Sequence, residues 1–558
     1  LAKQQQPEIS PQAEERARGG LLILGSVILA YAALYYNMVH GYLMLFGDAV
    51  AHMHVARRIL DTRHFSLSLL GGVWLPLPHL VMVPFMQRME WWHNGLGGAW
   101  PSMICYVISV IAFYGICRRL MPERWAWLAV AFYATNPGLL YLSSTAMSEP
   151  LFIAITVSSL YLLLRCSDAI TSGNLYLSSI WLMAAGLVLI CAVYTRYDGW
   201  IMAAAGWLMI ASWVFRRRER WQSVLGIWFA VFTVLLVLAP LSWFAYNAHF
   251  FHDPLDFMRG PYSAQAVEAR SAVPGFPPYP ALHNMPYGSI YYICAAMMDF
   301  AGWSTDPTGA HSGIMISVSL IALAFSVVGL LLALRCWPRF RTALLFLWIP
   351  LPFYAYSVAY GAVPIFVPPM TPHGYYHFRY GLELLPALTL SFALAVAALA
   401  QWLTARWSSA SIWVLRVAFL LVIGNFIVQY IYRPPVLQEA LLTSSARIGF
   451  EQGIAQTLET LPPDARILMY NSEYVGALQQ ASIPLQRTIG EFDGAEWQAA
   501  LADPAHSAPY IIAISGDPVA QAVDAHPQGL EEISITCTPS LAGHPCARFY
   551  RSQLYSAH

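Results

Sequence analysis

Along this chain the apolar positions gather into long blocks separated by short polar intervals, and about 20 apolar residues in a row can cross a bilayer as a helix. Eleven such blocks stand near 21–43, 98–117, 125–143, 150–166, 176–194, 199–215, 223–245, 313–334, 342–360, 380–400 and 410–431. A further stretch, 65–86, has the length but carries Pro76, Pro78 and Pro84 together with Gly71 and Gly72. Those residues break a spanning helix, so the stretch predicts a re-entrant or interfacial element whose loose backbone is covered by protein. From Gly47 to Arg63 the pattern turns amphipathic, which predicts a helix lying along the outer membrane surface. Beyond Pro434 and Pro435 it becomes that of a soluble α/β unit, with a helix near 437–460, a strand at 466–470, a helix at 495–502 and a strand at 510–514. The fold class is therefore a polytopic α-helical membrane protein of about 11 transmembrane helices with a C-terminal soluble α/β domain.

Orientation follows from the arginines of the short loops. Arg118, Arg119 and Arg124, the run Arg216, Arg217, Arg218 and Arg220, then Arg335, Arg339, Arg341 and Arg406 all fall on one side of the eleven-span arrangement. Taking that side as cytoplasmic gives a cytoplasmic tail at 1–20, a membrane domain at 21–431 and an extracytoplasmic domain at 432–558. The outer loops are then 44–97, 246–312 and 361–378. A true span at 65–86 would invert every later segment and put the Arg216–Arg220 run outside, against the rule that placed it. Residues 1–20 are polar and lead into the first span without an evident cleavage site, so that span is expected to act as its own insertion signal.

Composition sharpens this picture. Hydrophobic residues make up 58% of the chain and charged ones 11%, which excludes an ordinary soluble enzyme. Thirty basic residues balance thirty acidic ones, so no global field draws the protein to nucleic acid. The eight cysteines make no CxxC or zinc spacing. Cys537 and Cys546, nine residues apart in the polar tail, would pair in an oxidising compartment. The tail lacks a Gly-rich phosphate loop.

Polar side chains at membrane depth are expensive and each needs a reason. Five places concentrate them. Asp48, with His52 and His54, follows the first span; it would serve as a base in a partly apolar cavity, or merely cap the next helix. On a helix His52 and His54 point in different directions, so one is expected at the surface. Ser148-Glu149-Pro150 opens a span, where Glu149 is a cap or a site residue. Thr195-Arg196-Tyr197-Asp198-Gly199 puts two charges between apolar runs, either a buried ion pair or an arginine for a phosphate oxygen oriented by Asp198. His373 and His377 precede Arg379, which at four residues' spacing would pair with Glu383 along a helix. Trp74-Leu-Pro76-Leu-Pro78-His79 is the last, and His79 there could simply satisfy a carbonyl.

Taken together, Gly47-Asp48-x-x-x-His52-x-x-x-Ala56-Arg57, Trp74-x-Pro76-x-Pro78-His79, Ser148-Glu149-Pro150, Thr195-Arg196-Tyr197-Asp198-Gly199 and Phe378-Arg379-Tyr380 resemble the GT-C superfamily of membrane glycosyltransferases. The resemblance is to the bacterial branch related to protein O-mannosyltransferases and aminoarabinose transferase, over about residues 21–431. It implies sugar transfer from a polyprenyl-phosphate donor to a hydroxyl on a glycan, lipid or protein, at the outer face of a bacterial cytoplasmic membrane. Asp48 would be the base, with His52 and Glu149 beside it. The lipid phosphate would fall to Arg57, Arg196 and Arg379, with Arg58, His79, Asp198, His373 and His377 around it. Some relatives carry Asp-Glu at the Asp48 position or require a divalent metal. Here the neighbour is Ala49, and a metal site would need the fold to gather Asp48, His52, Glu149 and His79. Two other readings are a lipid-linked oligosaccharide ligase or polymerase, using a diphosphate carrier, and a transporter. The polar residues gather at outer span ends and no second half mirrors the first, which disfavours a transporter.

Overall fold

The computed structural model describes residues 11–216, 223–271, 278–296, 310–365, 377–538 and 544–556. Among them, nine helices are long and apolar enough to cross a membrane. The expected span 313–334 falls within a further helix, Ala310–Cys336. The expected span 125–143 needs correction, because it is two helices, Glu123–Ala134 and Pro137–Leu142. The break has a local cause. The Asn136 side chain accepts from the Leu139 amide at 2.9 Å and Pro137 takes the first helical position, so a new helix is capped in the middle of an apolar run.

The stretch 65–86 forms no spanning helix. It folds as a 3-10 turn at Leu67–Leu70, a short helix at Leu77–Met82 and a second 3-10 turn at Val83–Gln87. The Gly47–Leu60 helix corrects the amphipathic reading, since it is packed inside protein: Ala49, Met53 and Ala56 are fully covered, and so nearly are His52, His54 and Arg58. Neither histidine is a surface residue. What covers this helix is mainly the 67–87 segment and the Leu96–Leu120 helix, with the C-terminal part of the chain reaching it at Gly47 and Arg58, interactions the local pattern of polar positions does not encode.

That domain begins with the helix Pro435–Leu458, which follows the last membrane helix Ala410–Tyr432 almost directly. It carries a five-stranded sheet in the order β2-β1-β3-β5-β4, with β1 at Ile467–Met469, β2 at Thr488–Ile489, β3 at Tyr510–Ile514, β4 at Leu530–Cys537 and β5 at Cys546–Ser552. β1 pairs in parallel with β2 and β3, whereas β5 runs antiparallel to β3 and β4. A Cys537–Cys546 disulfide joins β4 to β5. The domain docks on the 44–97 segment through charged contacts. Asp61 accepts from the Leu485 amide at 2.9 Å, Arg63 meets Asp493 at 3.3 Å, and the Arg58 guanidinium lies over the Phe492 ring.

Candidate active site

Five separate stretches deliver charged side chains to one place. Asp48 lies in the first turn of the Gly47–Leu60 helix, which no side chain caps, so its carboxylate points elsewhere. It reaches Arg379, whose Nη2 lies 2.6 Å from Asp48 Oδ2. Glu149 opens the helix Glu149–Thr171, and it too has another partner than its own backbone. Its Oε1 sits between two guanidiniums, 3.2 Å from Arg379 Nε and 3.1 Å from Arg196 Nη1. Arg196 also donates to Ser148 Oγ at 2.8 Å and lies 3.5 Å from Asp198 Oδ2. The turn that carries Arg196 and Asp198 requires glycine at 199, because a Cβ there would stand 2.1 Å from the Ala192 carbonyl oxygen.

Residues 378–384 form a 3-10 helix, not an α-helix, which corrects the Arg379–Glu383 pairing. At three residues per turn, positions four apart no longer share a face. Glu383 instead meets Arg196 Nε at 3.4 Å. Arg379 is completed by a residue that carries no mark in the sequence pattern: Glu439 of the Pro435–Leu458 helix, 3.4 Å from Nη1, whose other oxygen accepts from the Phe378 amide at 2.8 Å. A second unanticipated member is Tyr354. Its hydroxyl accepts from Arg196 Nη2 at 2.7 Å and lies 2.6 Å from Asp198 and 2.9 Å from Glu383. Tyr354 stacks on Tyr380, and Tyr380 stacks on the His377 ring, so an aromatic column closes one side of the network.

Two guanidiniums thus stand among five carboxylates, those of Asp48, Glu149, Asp198, Glu383 and Glu439. Their exposure differs sharply: the Asp48 side chain is 38% exposed, and those of Glu149 and Glu439 are 1% and 0%. An incoming anion therefore meets Asp48 first, and Asp48 is the carboxylate that can leave its arginine for water without abandoning a charge in the interior.

Other predicted residues stand apart from this network. Arg57 is outside the network, with Asp61 3.0 Å from Nη2 and the Met86 carbonyl accepting from Nη1 at 2.6 Å. Arg58 is buried against Leu69 and Phe492, away from the cluster, and burial lowers its guanidinium to about 10. His373 lies outside the described residues. His52 Nδ1 lies 2.8 Å from His79 Nε2, and the His52 ring packs on Trp74. With Glu149 bound to two arginines and His52 turned to His79, the set Asp48, His52, Glu149 and His79 does not converge as metal ligands. Among the described residues no group of three or more His, Cys, Asp or Glu side chains is arranged to hold a metal ion.

Burial lowers His52 to about 4 and takes His79 well below the ordinary imidazole value. Both are neutral in the fold and titrate near about 6.5 once unfolded, so unfolding takes up protons in between. Their stabilisation is complete above about pH 6.5 and is lost as pH falls towards about 4, with roughly 3 kcal/mol of it from His52. Thermal midpoints of purified protein should therefore drop over this window, and more steeply in wild type than in a His52→Gln, His79→Gln double variant.

Comparison with known proteins bears on the fold. The pattern of the family described as dolichyl-phosphate-mannose-protein mannosyltransferase matches residues 92–244. The fold is similar to the crystal structure of ArnT from Cupriavidus metallidurans bound to undecaprenyl phosphate, with a TM-score of 0.54 at 14% identity, over 96% of this chain and 99% of that one. The apo form of the same protein gives 0.49 at 13% identity over 96% and 99%. The Archaeoglobus fulgidus oligosaccharyltransferase in its apo form gives 0.48 at 13% identity, over 88% of this chain and 69% of that one. No curated protein matches. By its helices and its fold the chain is a multi-pass membrane protein that shares the architecture of the ArnT structure.

Proposed function

We propose that this protein moves a sugar from a polyprenyl-phosphate donor to a hydroxyl-bearing acceptor, a glycan, lipid or protein, at the outer face of a bacterial cytoplasmic membrane. One observation carries the reading: the partly exposed carboxylate of Asp48 closes on Arg379, while buried carboxylates hold that arginine from the other sides. A donor phosphate entering the site competes with Asp48 for Nη2. Once it takes the arginine, Asp48 is released beside the anomeric carbon as an unpaired carboxylate, able to accept the proton of the attacking hydroxyl. The bond from the anomeric carbon to the phosphate oxygen breaks, and the negative charge of the departing lipid phosphate is met by Arg379, with Arg196 behind it. Glu149 and Asp198 fix the two guanidiniums, and the buried His52–His79 pair supports the helix that carries Asp48. The lipid tail of the donor accounts for a site opening at the outer ends of the spans. The ArnT structure that shares this fold holds undecaprenyl phosphate, which supports a carrier of the same kind. A disulfide in the C-terminal domain suits the outer side.

The test is competition between carriers. Undecaprenyl phosphate should displace a labelled polyprenyl-phosphate probe from the purified protein at least 10-fold more effectively than undecaprenyl diphosphate. Preference for the diphosphate would favour a ligase that joins whole glycans, and displacement by neither would remove the carrier from the account.

A further inference from the structure

We infer that Arg447, in the helix leading to the C-terminal domain, is a positioning residue for Asp48. The proposal rests on the reading of Asp48 as the base. Arg447 Nη2 donates to the Met44 and Leu45 carbonyls, each at 3.0 Å. These are the residues just before Gly47, where the Asp48 helix starts, and the Arg447 side chain packs 3.6 Å from where a Gly47 Cβ would stand. The guanidinium is held in turn by Glu451, 2.5 Å from Nη1 and 3% exposed. Glu451 sits against Gly476 so closely that a Cβ there would fall 2.2 Å from its carboxylate. A line of contacts therefore runs from the first turn of the Gly476–Gln480 helix through Glu451 and Arg447 to the backbone that launches Asp48.

The helix start needs such a holder. Its capping position is Phe46, whose side chain offers no hydrogen bond, and Asp48 spends its carboxylate on Arg379. The same Pro435–Leu458 helix supplies Glu439 to Arg379, so one element grips both partners of the Asp48–Arg379 pair from outside the membrane domain. The C-terminal domain then contributes to the reaction without touching substrate, by fixing where the base stands.

The two grips act on different steps, which makes the inference testable. In Arg447→Met the backbone before Asp48 loses its two anchors, while Arg379 keeps Glu149 and Glu439. Turnover should fall about 100-fold, the usual consequence of displacing a reacting group by about 1 Å. The affinity for undecaprenyl phosphate should stay within about twofold, because the phosphate arginine is unmoved. Arg447→Met leaves Glu451 without its cation and can misfold, so Arg447→Lys is measured beside it. Lysine keeps the charge facing Glu451 but cannot also reach both carbonyls, and about a 10-fold loss of turnover with unchanged affinity is expected. Turnover equal to wild type in both variants, or a parallel loss of turnover and affinity, overturns the assignment while leaving the transferase reading intact. A wild type that consumes no polyprenyl-phosphate sugar overturns the transferase reading and this inference with it.

Discussion

Arg379→Met should abolish binding of the lipid phosphate and destabilise the protein by about 3–5 kcal/mol, the cost of removing one partner from a buried ion pair. The reason lies in the geometry. Arg379 is 3% exposed and its three nitrogens meet Asp48, Glu149 and Glu439, so methionine leaves carboxylates facing one another in the interior. Arg379→Lys separates charge from shape. Its ammonium keeps one positive charge but cannot span three carboxylates as a planar fork does, so the variant should fold and still lose transfer by about 100- to 1000-fold. Thermal unfolding and donor turnover on the two variants check both halves. A lysine variant with wild-type turnover would mean that the phosphate is held elsewhere.

The second large effect belongs to Asp48→Asn. Removing a general base typically costs about 100- to 10,000-fold, and transfer should fall by that order. Stability should hardly change, because this side chain is 38% exposed and caps nothing. Binding of undecaprenyl phosphate should be retained or tighten, since the amide no longer competes as an anion for Arg379. This pairing of lost turnover with kept affinity separates a base from a phosphate ligand. Loss of both together would assign Asp48 to holding the donor.

Much of the site was legible because its residues break local patterns. Asp48, Glu149, Arg196, Asp198 and Arg379 are charges at the ends of apolar runs, and the structure assembles them although Asp48 and Arg379 lie 331 residues apart. Tyr354 and Glu439 left no such mark. Tyrosine in an apolar helix is ordinary at a membrane interface, and a glutamate in an otherwise soluble-looking helix reads as a solvated face. The clue available for Glu439 was its place among Val436, Leu437, Ala440 and Leu441, directly after the last span. Arg57 is placed differently from the other two arginines, Arg196 and Arg379. Its i,i+4 partner Asp61 was in view, and that pair fixes it against the Met86 carbonyl. In the soluble domain the two most apolar strands, β1 and β3, were visible. β2 has two residues, and β4 has a mostly exposed face with polar residues throughout, so neither carries an apolar run.

The measurement that bears most directly on the central claim is release of free polyprenyl phosphate by the wild-type protein in bacterial-lipid nanodiscs, supplied with a panel of polyprenyl-phosphate sugars and hydroxyl-bearing acceptors. The account predicts that at least one donor is consumed, with lipid monophosphate released in step with glycosylated acceptor and both lost in Asp48→Asn. Release of a diphosphate carrier, or no donor consumed by a folded wild type, would contradict it.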